Sequence, residues 1–214
     1  MPRWPGWRRA GCCRCFGLKP ARPAELAAFR VPAGRRAAVF DESLELIRRL
    51  LSEPEVSFHG EFFTVESASI GPRPAKPLDI WVGGSAPGAL RRAGRLADGW
   101  LASFLTPAEA GAGRVAIEAA AAEAGREIEP DHFGISLAVA TGPALARLRE
   151  GAQQRRPDAD PAALVADGWA DARRKIEDYV LAGLTKFVVR PGAEPDDPQR
   201  FADEFAREML PLQN

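Results

Sequence analysis

The chain has 214 residues, with 46% hydrophobic and 27% charged residues and formal charges that cancel at 29 basic and 29 acidic. That length can bury one substantial core, and no stretch reaches the ~18 apolar residues that span a bilayer, so a membrane-embedded function is excluded. Arg3, Arg8, Arg9, Arg14, Lys19 and Arg22 fall in residues 1–24 with no acid among them, so residues 25–214 are net acidic and nucleic acid is not an expected partner.

Residues 1–24 differ in composition from everything after them. They are rich in Trp, Arg, Cys and Gly, show no hydrophobic period and lack the apolar centre of a signal peptide. Cys12, Cys13 and Cys15 have neither a fourth ligand nor a nearby His, so no metal is expected. The segment reads as a basic, disordered tail with reduced thiols on a cytoplasmic protein, or as sequence foreign to the domain at 25–214.

Phe40, Leu44, Ile47 and Leu51 recur at helical spacing, with Glu45, Arg48 and Arg49 on the other face, and predict an amphipathic helix over 35–52. Val56 to Val65 alternates about His59-Gly60 and predicts a short hairpin with His59 in its turn. Pro72, Pro74 and Pro77 hold the chain extended before an apolar strand at 78–82. That strand runs into Gly83-Gly84-Ser85, then Ala86-Pro87 and a helix.

This strand-to-helix junction carries the clearest chemical signal in the chain. Gly83 and Gly84 have no Cβ to hold a ligand off the backbone, Ser85 is the expected N-cap, and Pro87 suits the first turn because its missing N–H costs nothing there. Amides in a first helical turn have no helical acceptor and face an incoming anion, which makes Gly83, Gly84, Ser85 and Ala86 a candidate phosphate site.

An Asp98-Gly99 turn leads to a second strand at 100–104. Thr106-Pro107-Ala108-Glu109 forms a capping box for a helix that stops at Gly125. Further expectations are a strand at 133–140, one short helix and a loop over 142–168, a helix over 170–182 stopped by Gly183, a strand at 186–190 and a closing helix over 198–210. Strands alternating with helices predict an α/β fold with a parallel sheet. A complete (β/α)8 barrel takes about 250 residues. Four βα units within 78–214 therefore amount to roughly the C-terminal half of one. An open dinucleotide-binding sheet fits less well, because Gly83, Gly84 and Gly88 lack its glycine spacing.

Three stretches, FDESLELIRRLL from Phe40, VSFHGEFFTVESASIGPRPAKP, and LDIWVGGSAPGALRRAGRLADGW ending at Trp100, resemble the luciferase-like monooxygenase superfamily. A looser likeness runs on through Thr106-Pro107-Ala108-Glu109, Tyr179 to Gly183 and Phe187 to Pro191. Gly17 to Phe29 faintly echoes the family's glycine-rich strand. The resemblance implies a barrel that binds FMN or a factor-420 deazaflavin at the C-terminal ends of its strands, with the cofactor phosphate at Gly83-Gly84-Ser85. It implies an oxidoreductase or monooxygenase acting on a small molecule, with possible use of molecular oxygen. Family members carry further βα units before the position of Phe40, so the chain is expected to be truncated.

Ser103 and Thr141, near strand C-termini, and Arg190, at the end of the last strand, are candidates to line the ligand cleft. His132 precedes its strand, at the end that serves stability, and neither it nor His59 is assigned to catalysis. Catalytic residues are not identifiable from this sequence. Two other readings stay open. One is a catalytically inactive fragment that retains a phosphate-binding turn and packs against a copy of itself or a partner subunit. The other is a different phosphate-binding α/β enzyme.

Overall fold

The computed structural model describes residues 14–18, 31–195 and 197–212. Most of the expected tail, residues 1–13 and 19–24, lies outside them. The tail expectation fails at Arg14–Phe16, which form a strand, β1. Three residues carry no readable period; they become a strand by pairing in parallel with β4 (Ile80–Val82), with Cys15 opposite Trp81 and Phe16 opposite Val82.

Helix α1 spans Arg36–Ser52, and its two apolar flanks bury against different partners. Leu44, supported by Phe40 and Ile47, enters the main core. Leu46, with Leu50, packs on Val56, Phe58, Phe63 and Val65 of the hairpin formed by β2 (Val56–His59) and β3 (Thr64–Ala68). The helix is thus wedged between hairpin and sheet, and His59 ends β2 opposite Thr64.

The remaining elements alternate as expected: α2 (Pro87–Leu96), β5 (Gly99–Ser103), α3 (Pro107–Glu123), β6 (Phe133–Ala140), α4 (Gly142–Arg155), α5 (Pro161–Leu164), β7 (Ala166–Asp167), α6 (Gly168–Leu181), β8 (Lys186–Pro191) and α7 (Pro198–Met209). Every pairing in the main sheet is parallel, in the order β1, β4, β5, β6, β8. The two-residue β7 continues β5's edge, pairing with Val139 and Ala140 at the far end of β6. Among the described residues the sheet does not close on itself; β1 and β8 are its edges.

Residues 142–168 depart from expectation. The short helix and loop are instead the 14-residue α4, the four-residue α5 and β7. Pro157 and Pro161 break up the sequence signal. Leu145, Leu148 and Ala152 give α4 only a thin stripe, which becomes a buried face because Phe104, Leu164 and Val165 meet it.

The two sides of the sheet have different characters. Ile80, Val82, Trp100, Ala102, Phe133 and Ile135 point to one side and share a core with Leu44, Ala93, Ile117 and Tyr179 from the helices. Helices α2 and α3 approach so closely there that a Cβ on Gly94 would lie 2.5 Å from the Ile117 carbonyl oxygen. Strand alternation turns Trp81, Leu101, Ser103, Ser136, Val188 and Arg190 to the other side, where Val188 remains 47% exposed.

Candidate functional site

All strands of the sheet run parallel, so their C-terminal ends form one rim. Gly83 to Ala86 leave β4 at this rim. Gly84 to Gly88 are exposed. Gly84 adopts a φ of +109°, and a Cβ there would lie 2.9 Å from that of Ala89, so the turn admits no side chain without strain.

Ser85 is not the N-cap. That position belongs to Ala86, whose φ of −64° and ψ of 148° are extended. The reason is Pro87 at the first helical position: its ring forces the preceding residue out of helical conformation, which moves the cap one residue along and leaves Ser85 in the turn. The shift leaves Gly83 to Ser85 in the turn before the helix. The Gly83 N–H donates to the Phe16 carbonyl at 2.9 Å. The amides of Gly84, Ser85, Ala86 and Gly88 have no acceptor among the described residues.

Buried Trp100 fixes the turn's orientation, its indole N–H donating to the Gly84 carbonyl at 2.9 Å. In a trans peptide the C=O and N–H point oppositely. Anchoring the Gly84 carbonyl inward therefore turns the Ser85 N–H outward. Sequence reasoning missed this role; a Trp after Asp-Gly reads only as a core residue.

Further along the rim, Ser103 ends β5 and lies exposed, in register with Ser136 and Val188. Ser136 was also missed, since it sits mid-strand where a small polar residue gives no signal. Phe104 follows in the left-handed region at φ 55° and packs against the α4 side of the rim. Non-glycine residues held there cost of order 1–3 kcal/mol and need their surroundings to impose them. Here the Arg156 guanidinium donates to the Phe104 carbonyl at 2.7 Å, and the Tyr179 hydroxyl donates to the Leu105 carbonyl at 2.5 Å. Arg156 also bonds Glu109 at 2.6 Å and Asp158 at 2.8 Å. The Arg156 hydrogen bonds, joined by those from Thr106, hold the Glu109 carboxyl below the ordinary range. The Thr106–Glu109 capping box is present as expected and is thereby tied to the loop beyond β5.

Thr141 caps α4 through its backbone alone and is exposed. Arg190 projects from β8 in register with Ala138. It is half-buried and has no ion pair or hydrogen bond among the described residues; burial and nearby Arg155 both press its pKa down. The rim thus gathers the Gly83–Ala86 turn, Ser103, Thr141 and Arg190.

The two histidines lie elsewhere. His59 pairs with Glu66 at 3.3 Å in the hairpin, and His132 stands at the N-terminal end of β6 with its ring 5.4 Å from Trp81. Glu129, Asp131 and His132 bring possible metal-ligand atoms within 4.8 Å of one another, but the Lys186 ammonium already bonds Asp131 at 2.9 Å. Depressions of about 350 and 430 Å³ lie by α1, α2 and the hairpin turn, away from the rim. Part of their charged lining is bonded within the chain, as in Arg48 to Asp98 at 2.8 Å.

A parallel α/β sheet with helical crossovers and an exposed glycine turn at its C-terminal rim describes the class of fold. The chain belongs to the luciferase-like monooxygenase family, whose profile matches residues 20–201. It is 28% identical to the F420-dependent glucose-6-phosphate dehydrogenase of Intrasporangium calvum over 205 residues, covering 82% of this chain and 61% of that enzyme's length. The structure of coenzyme F420-dependent tetrahydromethanopterin reductase from Methanopyrus kandleri is similar at TM-score 0.67 and 20% identity, over 92% of this chain and 74% of that one. The oxygenating constituent of 3,6-diketocamphane monooxygenase from Pseudomonas putida, solved in complex with FMN, is similar at TM-score 0.66 and 16% identity, over 92% and 70%. No helix among the described residues is long and apolar enough to cross a membrane.

Proposed function

We propose that this chain forms the C-terminal part of a partial (β/α)8 barrel and binds FMN or a factor-420 deazaflavin for an oxidoreductase or monooxygenase reaction on a small molecule. The observation that carries the reading is the exposed Gly84–Gly88 turn, with four amides at a helix start that have no acceptor among the described residues. The residues fit a phosphate: the four amides belong to one exposed turn, Trp100 engages the Gly84 carbonyl, and a Cβ on Gly84 would crowd Ala89. The dipole of α2 adds roughly 0.3–1 kcal/mol for an exposed anion. When bound, the cofactor supplies hydride transfer or oxygen chemistry. The chain's own residues bind and orient: Gly84, Ser85, Ala86 and Gly88 hold the phosphate, Ser103, Ser136 and Thr141 offer hydroxyls along the cleft, and Arg190 faces the substrate side.

Titration of the purified chain with FMN and with the deazaflavin, each oxidised and reduced, followed by fluorescence, tests this. Saturable binding of at least one is expected. Absence of binding to either, together with intact circular dichroism, overturns the reading.

Two observations favour an assembled form over an isolated copy. Both edges of the parallel sheet are open among the described residues, and Val188 on the face away from the helices is 47% exposed. Open edges and apolar sheet faces are covered in stable proteins. A homo-oligomer or a complex with a partner subunit is the expected form, and a monodisperse monomer by light scattering would contradict it.

A further inference from the structure

The arginines near the β8 end of the rim fall into two groups. Arg149 lies 3.6 Å from Asp167, and Arg156 holds Glu109 and Asp158. Arg155 and Arg190 have no acid partner among the described residues. Among the described residues, carboxylates are at hand for the first two and not for the second. An unpaired arginine in solvent needs no explanation, but Arg190 is half-buried, and a half-buried cation without a counter-ion is costly.

The fold places both at one end of the rim. Helix α4 lies across the rim: Leu148 covers Gly192, just beyond β8, while the far end of the helix packs on Phe104 beyond β5. Arg155, exposed in the last turn of α4, sets its guanidinium carbon 5.0 Å from the centre of the Phe104 ring, beside the end of β5. Arg190 rises from the strand beneath, on the same face as Ser136 and Val188. Burial, and then the nearby Arg155 charge, press the pKa of Arg190 down.

We propose that Arg190 and Arg155 form a second anion site, which holds a phosphate or carboxylate carried by the substrate. Two guanidinium forks suit a group with several acceptor oxygens. The site is distinct from the Gly84–Gly88 turn. β4 and β8 are three strand spacings apart, about 14 Å along the sheet, so one phosphate cannot occupy both. The inference rests on the proposed cleft and narrows its substrate class to small anionic molecules.

The test uses the intact chain, inorganic phosphate as probe, and NMR detection of arginine Nε–H signals, with R190K and R155K to identify each signal. Phosphate added at constant ionic strength is expected to shift the Arg190 and Arg155 signals saturably, while sodium chloride shifts neither. In R190Q the phosphate affinity read at Arg155 should fall about tenfold or more, since a charge-assisted hydrogen bond is lost. The amides of Gly84, Ser85 and Ala86 should keep their own response in that variant. The proposal is overturned if phosphate moves only those turn amides, or if R190Q and R155Q both bind as the unmodified chain does. Arginine signals that respond in a chain binding neither FMN nor the deazaflavin would support the anion site and remove the flavin reading.

Discussion

Two turns in this molecule aim clusters of backbone amides outward, and only one is satisfied from within. In the hairpin turn the Glu42 carboxylate accepts from the amides of Glu61, Phe62 and Phe63 at 2.8, 2.8 and 2.7 Å. At the Gly84–Gly88 turn no side chain of the described residues plays that part. The physics of the two is the same, a concave set of N–H dipoles that attracts negative charge. One turn supplies its own anion from α1 and becomes a structural joint. The other finds no acceptor among the described residues, and it lies on the rim with Ser103, Thr141 and Arg190. The opposite end of the sheet follows the self-sufficient pattern. There Asp98 accepts from Arg48 at 2.8 Å, from Arg126 at 3.3 Å and from the Ile80 amide at 2.8 Å.

The contrast breaks most severely at Trp100. W100F removes the hydrogen bond that orients the open turn and leaves a gap beside Gly113 in a fully buried site, so about 2–4 kcal/mol of stability should be lost in urea unfolding. Cofactor binding should weaken with it. G84A acts on the turn directly: its φ of +109° and the 2.9 Å approach to Ala89 should cost about 1–2 kcal/mol, with loss of phosphate binding measured by calorimetry.

E42Q empties the filled turn of its charge. Partial desolvation opposes ionisation of Glu42, but the amides of Phe62, Phe63 and Glu61 outweigh it and hold the carboxyl below its ordinary 4.5. A group depressed in the folded state stabilises fully above its unfolded value and loses that contribution as pH falls through the folded one. Melting temperature should therefore drop below pH 4.5 in the unmodified chain, and this part of the drop should be missing in E42Q. The smallest effect on folding belongs to S85A. Ser85 is exposed and without a partner, so stability should change by no more than about 0.5 kcal/mol, while FMN or deazaflavin affinity falls several-fold if the hydroxyl reaches the phosphate. A stability loss as large as that of G84A would show that Ser85 braces the turn instead.

Much of the domain was readable from the chain because its signals are local. The α1 stripe, the hairpin about His59-Gly60, the Thr106–Glu109 capping box and the helix ends at Gly125 and Gly183 all follow from side-chain period, cap chemistry and backbone freedom within a few residues. The strand at Phe133–Ala140 agrees residue for residue, since an apolar run broken only by Ser136 and bounded by polar sequence has few other ways to be buried. Where two local rules competed, the reading slipped: Ser85 has the better capping side chain, but Pro87 dictates the conformation of the residue before it, and the steric constraint won.

The sequence by itself determined the alternation of strands and helices, the parallel class of sheet, the glycine turn and the family. Tertiary structure alone decided that Arg14–Phe16 is a strand, that α4 crosses the rim, that Trp100 holds the turn and that Arg155 and Arg190 share one end of the rim. Those four facts depend on partners as many as 66 residues away in the chain, and a strand edge, a thin apolar stripe, an indole N–H or a lone guanidinium declares nothing until its partner is in place.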